Sequence, residues 1–392
     1  MSEHEIGVGV VGAGWLGDVH ARAWGRLRHH YPDLGVRPRM VAVADSIGSA
    51  TKAATDRHGY ARAYDDWRDL VADPEVAVVS VTAPNALHRE IGVAVAEAGK
   101  HLWIEKPVGL GVADAQAVAD AVAAAGVEAA VGFNYRTFPA LQALRDQVRS
   151  GAIGTPTHAR VRMLSDYAAN PLGLHTWRYS LDSGGHGVLG DLASHTVDLT
   201  RYVLGELDRL VAETALFIGE RPLPPKGAAS YGHGLGDADA PRARVENEDY
   251  VAALLRTVDG VLVSMECSRV AAGEQNSYGV EVHGTGGLVA WDFRRCGELV
   301  LSTGETYADQ PSRIQYVGPG SGEHARFQPA SALPLSFDDS KVIELAMLLR
   351  AITGGPREHA TLADAVASAQ ALEAMVESAE SRAWVTLDGK DT

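Results

Sequence analysis

Two short motifs far apart in the chain carry side chains able to handle a hydroxyl proton and a developing negative charge. One is Glu105-Lys106-Pro107; the other runs Ser183-Gly184-Gly185-His186-Gly187-Val188-Leu189-Gly190-Asp191-Leu192-Ala193-Ser194-His195. Asp191 and His195 are four positions apart, so on a helix they share a face, and the carboxylate can orient the imidazole and stabilise its protonated form. Oxidising a secondary alcohol needs such equipment: a base at the hydroxyl while the C–H bond points at a hydride acceptor. Lys106 can hydrogen-bond the reacting oxygen and stabilise the alkoxide as it forms. Residue types alone leave open whether Lys106 or His195 takes the proton.

The hydride acceptor is implied at the other end of the chain. Residues 6–11 are an apolar run rich in β-branched types that passes directly into Gly12-Ala13-Gly14-Trp15-Leu16-Gly17 and a helix-compatible stretch through Arg28. In that strand-to-helix setting the first glycine permits a tight turn, the second lets backbone N–H groups approach a pyrophosphate, and the third lets strand and helix pack closely. The helix N-terminus then faces the anion. A second apolar run, 40–44, ends in Asp45, placed to accept from the adenosine ribose hydroxyls and to repel a ribose 2′-phosphate. No Arg or Lys follows before Lys52, so NAD is expected over NADP, with Ser46 the neighbour that could still bond a phosphate. The interval from Gly12 to Asp45 exceeds the roughly 20 residues usual for this motif. Residues 31–38 are read as an extended loop that absorbs the excess.

Apolar strands and helices alternate over the first 130 or so residues, with strands at 76–81, 101–104 and 129–132 and helices at 86–98 and 112–125, which predicts a parallel sheet wound by crossovers. Beyond residue 155, strand-like runs at 158–164, 209–218, 250–257, 261–266, 278–283, 288–291 and 298–301 follow one another without helices between them, as in an open, largely antiparallel sheet. The fold class expected is therefore α/β: a Rossmann dinucleotide-binding domain over 1–132, then an α+β domain over 133–392 with a large open, mostly antiparallel sheet. Residues 221–244, rich in Pro and Gly, read as a long loop, a lid or an oligomer arm, and 311–334 as a second irregular segment. A last helix, about 361–379, is expected to pack back on the first domain.

A length of 392 residues, with 46% hydrophobic and 22% charged residues, suits two globular domains, and a net charge of -15 argues against nucleic-acid or anionic-membrane partners. Acidic residues at the N-terminus and the lack of a long apolar run point to a cytoplasmic protein. With only Cys267 and Cys296 and no ligand spacing, neither a disulfide framework nor a metal site is expected.

In combination the motifs resemble the Gfo/Idh/MocA oxidoreductases, which include glucose-fructose oxidoreductase and inositol dehydrogenases. The resemblance rests on Gly12-x-Gly14-x-x-Gly17 with His20, Asp45, Thr82-Ala83-Pro84-Asn85-Ala86-Leu87-His88, Glu105-Lys106-Pro107 and the segment leading to Asp191 and His195. Phe133-Asn134-Tyr135-Arg136, Trp177-Arg178 and His283-Gly284-Thr285-Gly286-Gly287 are most similar to its sugar-oxidising branch. The resemblance implies that Lys106, Asp191 and His195 line the catalytic centre, that the nicotinamide lies beside Pro107, and that the Lys-Pro bond is cis. Cofactor contacts are expected from Gly12, Gly14, Trp15, Leu16, Gly17, Asp45, Ser46, Thr82, Pro84, Asn85, His88, Glu105, Lys106, Pro107 and Asn134. Substrate contacts are expected from Tyr135, Arg136, Asp166, His175, Trp177, Arg178 and His186 besides the catalytic groups, since aromatic faces suit sugar C–H surfaces and Arg or Asp suits hydroxyls. Two departures stand out: His186 interrupts a run that is often three glycines, and Ala193 replaces a common glycine.

The activity implied is NAD-dependent oxidation of a ring hydroxyl of a sugar, glycoside, anhydrosugar or cyclitol, by a homodimer or homotetramer whose subunits cover the open sheet. Two alternatives share the residues: a redox-neutral glycoside-processing enzyme that retains its NAD, and a non-catalytic NAD- or sugar-binding regulator.

Overall fold

The computed structural model describes residues 4–225 and 234–387. The first unit is a six-stranded sheet of β1 (His4–Val11), β2 (Val36–Ala44), β3 (Arg62–Tyr64), β4 (Val78–Val81), β5 (His101–Ile104) and β6 (Ala129–Val131). All pairs are parallel and the order is β3-β2-β1-β4-β5-β6. The chain reverses its winding between β1 and β4, and ligands of such sheets bind in the crevice beyond the strand ends at that point. Helices α1 (Trp15–His30), α2 (Gly48–His58), α3 (Trp67–Ala72), α4 (Asn85–Glu97) and α5 (Val112–Ala125) make the crossovers. With helices on both faces the strands are buried on both sides, so β4 reads Val-Val-Ser-Val with all four residues buried.

The segment 31–38, expected as a loop, is partly strand. A short helical turn spans Pro32–Leu34 and β2 begins at Val36, with Pro38 opposite Ile6. β3 pairs with β2 only from Ala42 onward, so Pro38 lies where β2 is an edge and its missing N–H leaves no ladder bond unmade.

The second unit begins with α6 (Pro139–Arg149), β7 (Pro156–Leu164), α7 (Leu181–Gly184) and α8 (Ser194–Leu204), followed by β8 (Leu207–Ala215). Then come β9 (Glu220–Pro222), β10 (Arg242–Arg244), β11 (Tyr250–Thr257), β12 (Leu262–Ser268), β13 (Ser277–Gly284), β14 (Gly287–Asp292), β15 (Glu298–Thr303) and β16 (Arg313–Tyr316). The chain closes with α9 (Phe337–Ile352), α10 (Leu362–Ser381) and β17 (Val385–Thr386). Nine strands form one sheet, β16-β15-β14-β13-β7-β12-β11-β8-β17, antiparallel except for the parallel pair β7 and β12. Burial alternates along β11: one face packs on helices, and exposed side chains such as Leu254 lie on the other.

The region expected as one loop over 221–244 contains a two-stranded ribbon of β9 and β10; its residues 226–233 lie outside the described residues. The helix expected near 361–379 is α10, which contacts α5 and β6 of the first unit as well as β8. A helix absent from the sequence expectation, α9, packs along α1. It is capped by Ser336 and Asp339, each side chain bonding the other's backbone N–H.

Candidate active site

A cleft of about 460 Å³ opens where the two units meet. From the first unit it is lined by Gly12, Gly14, Trp15, Leu16, Asp45, Thr82, Pro84, Asn85, His88, Glu105, Lys106 and Pro107. The turn after β1 has no room for side chains. Gly12 sits at φ +97°, where a Cβ would also lie 2.8 Å from Thr82, and a Cβ on Gly17 would lie 2.0 Å from the Gly12 carbonyl oxygen. Those absences keep the first turn of α1 open to an anion. At the end of β2, Asp45 accepts from the N–H of Ala13 at 2.8 Å and of Ile47 at 3.0 Å, which fixes its carboxylate beside the glycine turn. A dinucleotide fits this donor set: backbone N–H groups for pyrophosphate and a held carboxylate for ribose hydroxyls. His88 bridges the carbonyl oxygens of Ala83 and Pro107, 2.7 Å from each ring nitrogen, and so ties α4 to the Lys106–Pro107 turn, whose peptide is cis.

The second unit contributes Tyr167, Trp177, Arg178, His186, Asp191 and Arg269. Lys106 reaches across the cleft and donates to Asp191 twice, at 2.9 Å to Oδ1 and 2.6 Å to the backbone oxygen. Tyr167 donates to Asp191 Oδ2 at 2.5 Å. Burial alone would raise the Asp191 carboxyl, yet Lys106 and Tyr167 together hold it well below the usual carboxylate range. Burial, reinforced by the Asp191 charge, pushes the Tyr167 phenol well above its ordinary value, so it stays protonated as the donor.

The expected Asp191–His195 pair is not formed: both carboxylate oxygens are taken by Lys106 and Tyr167. The physical reason is local. Residues Leu189–Ala193 form a π-helical turn before α8, and across it Asp191 is drawn to Lys106 and Tyr167 at the cleft while His195 packs against Tyr135 and Phe133. His195 lies deeper, 7% exposed, its ring edge-on to Tyr135 at 4.8 Å and to Phe133 at 5.9 Å. Burial pushes its imidazole well below the ordinary 6.5, and Lys106 acts in the same direction. His195 is thus neutral at pH 7, with a nitrogen lone pair.

Comparison with known proteins bears on the whole chain. Residues 6–133 match the oxidoreductase family model with an NAD-binding Rossmann fold, and residues 141–290 match the GFO/IDH/MocA C-terminal domain. The chain belongs to the Gfo/Idh/MocA oxidoreductase family. It is 32% identical to levoglucosan dehydrogenase of Pseudarthrobacter phenanthrenivorans over 381 residues, 97% of each chain. It is 28% identical to myo-inositol 2-dehydrogenase of Thermotoga maritima, covering 79% of this chain and 81% of that one. Among solved structures, levoglucosan dehydrogenase in complex with NADH and levoglucosan superposes with a TM-score of 0.90 at 30% identity, covering 98% of this chain and all of the other, 100%.

Not every residue expected at the site of this Gfo/Idh/MocA oxidoreductase lines its cleft. Gly17, Ser46, Asn134, Tyr135, Arg136, Asp166, His175 and His195 are outside the lining, whereas Tyr167 and Arg269, which the sequence reading missed, are within it. Asn134 donates to Ser340 Oγ at 2.7 Å and is buried under α9. A ring nitrogen of His175 lies 3.0 Å from the Arg244 carbonyl oxygen. Arg136 forms a buried ion pair with Asp198 and reaches Asp364 of α10 at 3.1 Å, so its guanidinium holds α8 and α10 together. Burial raises the Asp198 carboxyl to about 6 even against the opposing effect of Arg136. Arg136→Met is therefore expected to destabilise the protein by about 3–5 kcal/mol, because it leaves a buried carboxylate unpaired. Urea unfolding checks this, and a changed KM with unchanged stability would return Arg136 to the substrate site.

Among the described residues, no helix is long and apolar enough to cross a membrane.

Proposed function

We propose that this protein is an NAD-dependent dehydrogenase that oxidises a secondary ring hydroxyl of a sugar, anhydrosugar, glycoside or cyclitol. Its catalytic groups on this reading are Lys106, Asp191 and His195. The observation that carries the reading is the Lys106–Asp191 pair spanning the mouth of a nucleotide cleft. The full-length likeness to a levoglucosan dehydrogenase supports an anhydrosugar as the first substrate to try.

NAD held by the glycine turn and Asp45 would supply the hydride acceptor for the carbinol carbon. An ammonium has three N–H donors, and two of those on Lys106 are directed at Asp191; the third serves the carbinol oxygen and stabilises alkoxide character. Asp191, held as an anion by Tyr167 and Lys106, fixes where that third N–H points. A Lys106 ammonium has no lone pair, so the neutral His195 imidazole is the proton acceptor on this reading. Trp177, with Arg178 stacked 4.4 Å over its ring, and His186 form the cleft wall on the second unit and are assigned to the substrate.

Incubation with NAD and a panel headed by levoglucosan and myo-inositol should raise absorbance at 340 nm; folded protein that binds NADH yet turns over none of the panel would refute the reading. Asp45→Ser is expected to lower kcat/KM with NAD by about 10-fold or more while that with NADP rises, since one charge-assisted bond is lost and a repulsion removed. The ratio of the two values checks it, and an unchanged ratio places the adenosine ribose elsewhere. We further assign the protein to the cytoplasm and to a homo-oligomer that covers the open sheet face, where Leu254 is 41% and Ile314 46% exposed.

A further inference from the structure

Beneath the cleft, which Glu105 also lines, four titratable side chains are buried together: His20 of α1, Glu105 at the end of β5, and Lys341 and Glu344 of α9, none more than 3% exposed. Glu105 Oε1 accepts from His20 Nε2 at 2.9 Å and from Lys341 Nζ at 2.5 Å. Lys341 also donates to Glu344 Oε2 at 3.0 Å, which takes a further bond from Trp103 Nε1 at 2.9 Å. Trp103 floors the group, its ring stacked on His20 with centroids 3.7 Å apart. The carboxylate of Glu105 fills the space beneath Gly132, where an added Cβ would lie 2.5 Å from Oε2. Glu105 is thus held from α1 and from α9, whose Lys341 is 236 positions downstream.

Burying such a set is costly, and apolar side chains of the same volume would often stabilise a core as well or better. Its place in the fold suggests what the cost serves. Successive residues at a strand end point to opposite sides: Glu105 turns inward to the cluster, while Lys106 turns outward to Asp191. Fixing the inner side chain fixes the rotation of the segment that carries the outer one. Burial works to raise Glu105, but Lys341 and His20 hold it as an anion; burial pushes His20 down to about 4, so it is neutral at pH 7.

We propose that Lys341 is a positioning residue of the hydride-transfer site: by pinning Glu105 it aims Lys106 at Asp191, and by its charge it offsets the Glu105 carboxylate in the field at His195. The first half rests on the reaction assigned above; the second does not. The charged groups that act on His195 are Lys106 and Glu105 from the end of β5, Asp191 from its own segment and Lys341 from α9, and Tyr135 and Phe133 pack against its ring. The two lysines oppose the imidazolium and the two carboxylates favour it.

The test is Lys341→Met, which keeps length and removes charge, read by steady-state kinetics and by the NMR titration of His195 in the substrate-free protein. Expected are a kcat lowered about tenfold or more, NADH binding within about threefold of wild type, and a His195 titration moved to higher pH because Glu105 is no longer offset. Lys341→Arg should restore the titration. Glu105→Gln, which keeps an acceptor for Lys341, should lower kcat too but move the titration to lower pH, and it decides the matter if Lys341→Met does not fold. Folded variants with wild-type kcat overturn the proposal, and so does a lowered kcat with the His195 titration unmoved, which would mark the cluster as structural. If the wild-type protein oxidises none of the panel, the assigned reaction fails, and the opposite titration shifts of the two variants still judge Lys341.

Discussion

Replacing Lys106 by methionine is expected to lower kcat by about 10³-fold, the size of effect seen when a donor aimed at a developing oxyanion is removed. The side chain is placed for this by both of its neighbours. It follows Glu105, whose carboxylate is buried beneath it, and it meets Asp191 across the cleft at 2.9 Å. Methionine fills the same space but donates nothing, so the alkoxide would form without a cation beside it. Asp191 would change as well. Burial works to raise that carboxyl and Lys106 is the leading influence holding it down; without the lysine its pKa rises, and protonation of Asp191 shifts toward neutral pH. Lys106→Arg is not expected to rescue, because a planar guanidinium cannot direct one N–H to Asp191 Oδ1, one to its backbone oxygen and one to substrate as an ammonium can. NADH binding, followed by fluorescence, should change far less than kcat. A Lys106→Met protein within tenfold of wild-type activity would show that another group faces the reacting oxygen.

What the sequence disclosed about this site follows from how locally each part is encoded. The glycine turn and Asp45 were legible because their chemistry is backbone chemistry: Gly12 needs its positive φ and Gly17 its missing Cβ whatever the rest of the chain does. Lys106 and Asp191 were legible as types, but their union was not, since it joins residues 85 positions apart. Spacing misled in one place. A four-position spacing can put Asp191 and His195 on one face without making them partners: Lys106 and Tyr167 take the carboxylate, and Tyr135 and Phe133 pack against the imidazole. Asp166 was legible as a polar type suited to a hydroxyl, but the turn after β7 brings its neighbour Tyr167 to Asp191, a placement that residue type does not encode. Arg136 looks identical in sequence whether it meets a sugar or Asp198, and only the return of α10 decides. Helix α9 was hidden for a related reason. Lys341, Glu344 and Asp339 are buried among its apolar residues, so the polar face that reveals an amphipathic helix is missing from the pattern.

His195→Ala is expected to cost about 10²–10⁴ in kcat, the range that general-base catalysis supplies, and the pH profile separates this role from a packing role. A base must be unprotonated to work. In the folded protein burial holds the His195 imidazole well below 6.5, with Lys106 opposing its protonation further. Wild-type kcat should therefore persist as pH falls through 6.5 and decline only at more acidic values, as the imidazole takes up a proton. Substituting alanine removes that acid limb along with most of the rate, and leaves a space beside Tyr135 and Phe133 into which added imidazole can diffuse and restore part of the activity. Packing loss alone would lower stability without erasing the limb, and imidazole would not rescue it. A wild-type acid limb at 6.5 or above would show that His195 is solvated or stabilised as a cation in the working complex. In that event proton acceptance would pass to Lys106, and the third N–H assigned to the carbinol oxygen would instead be the site that loses a proton first.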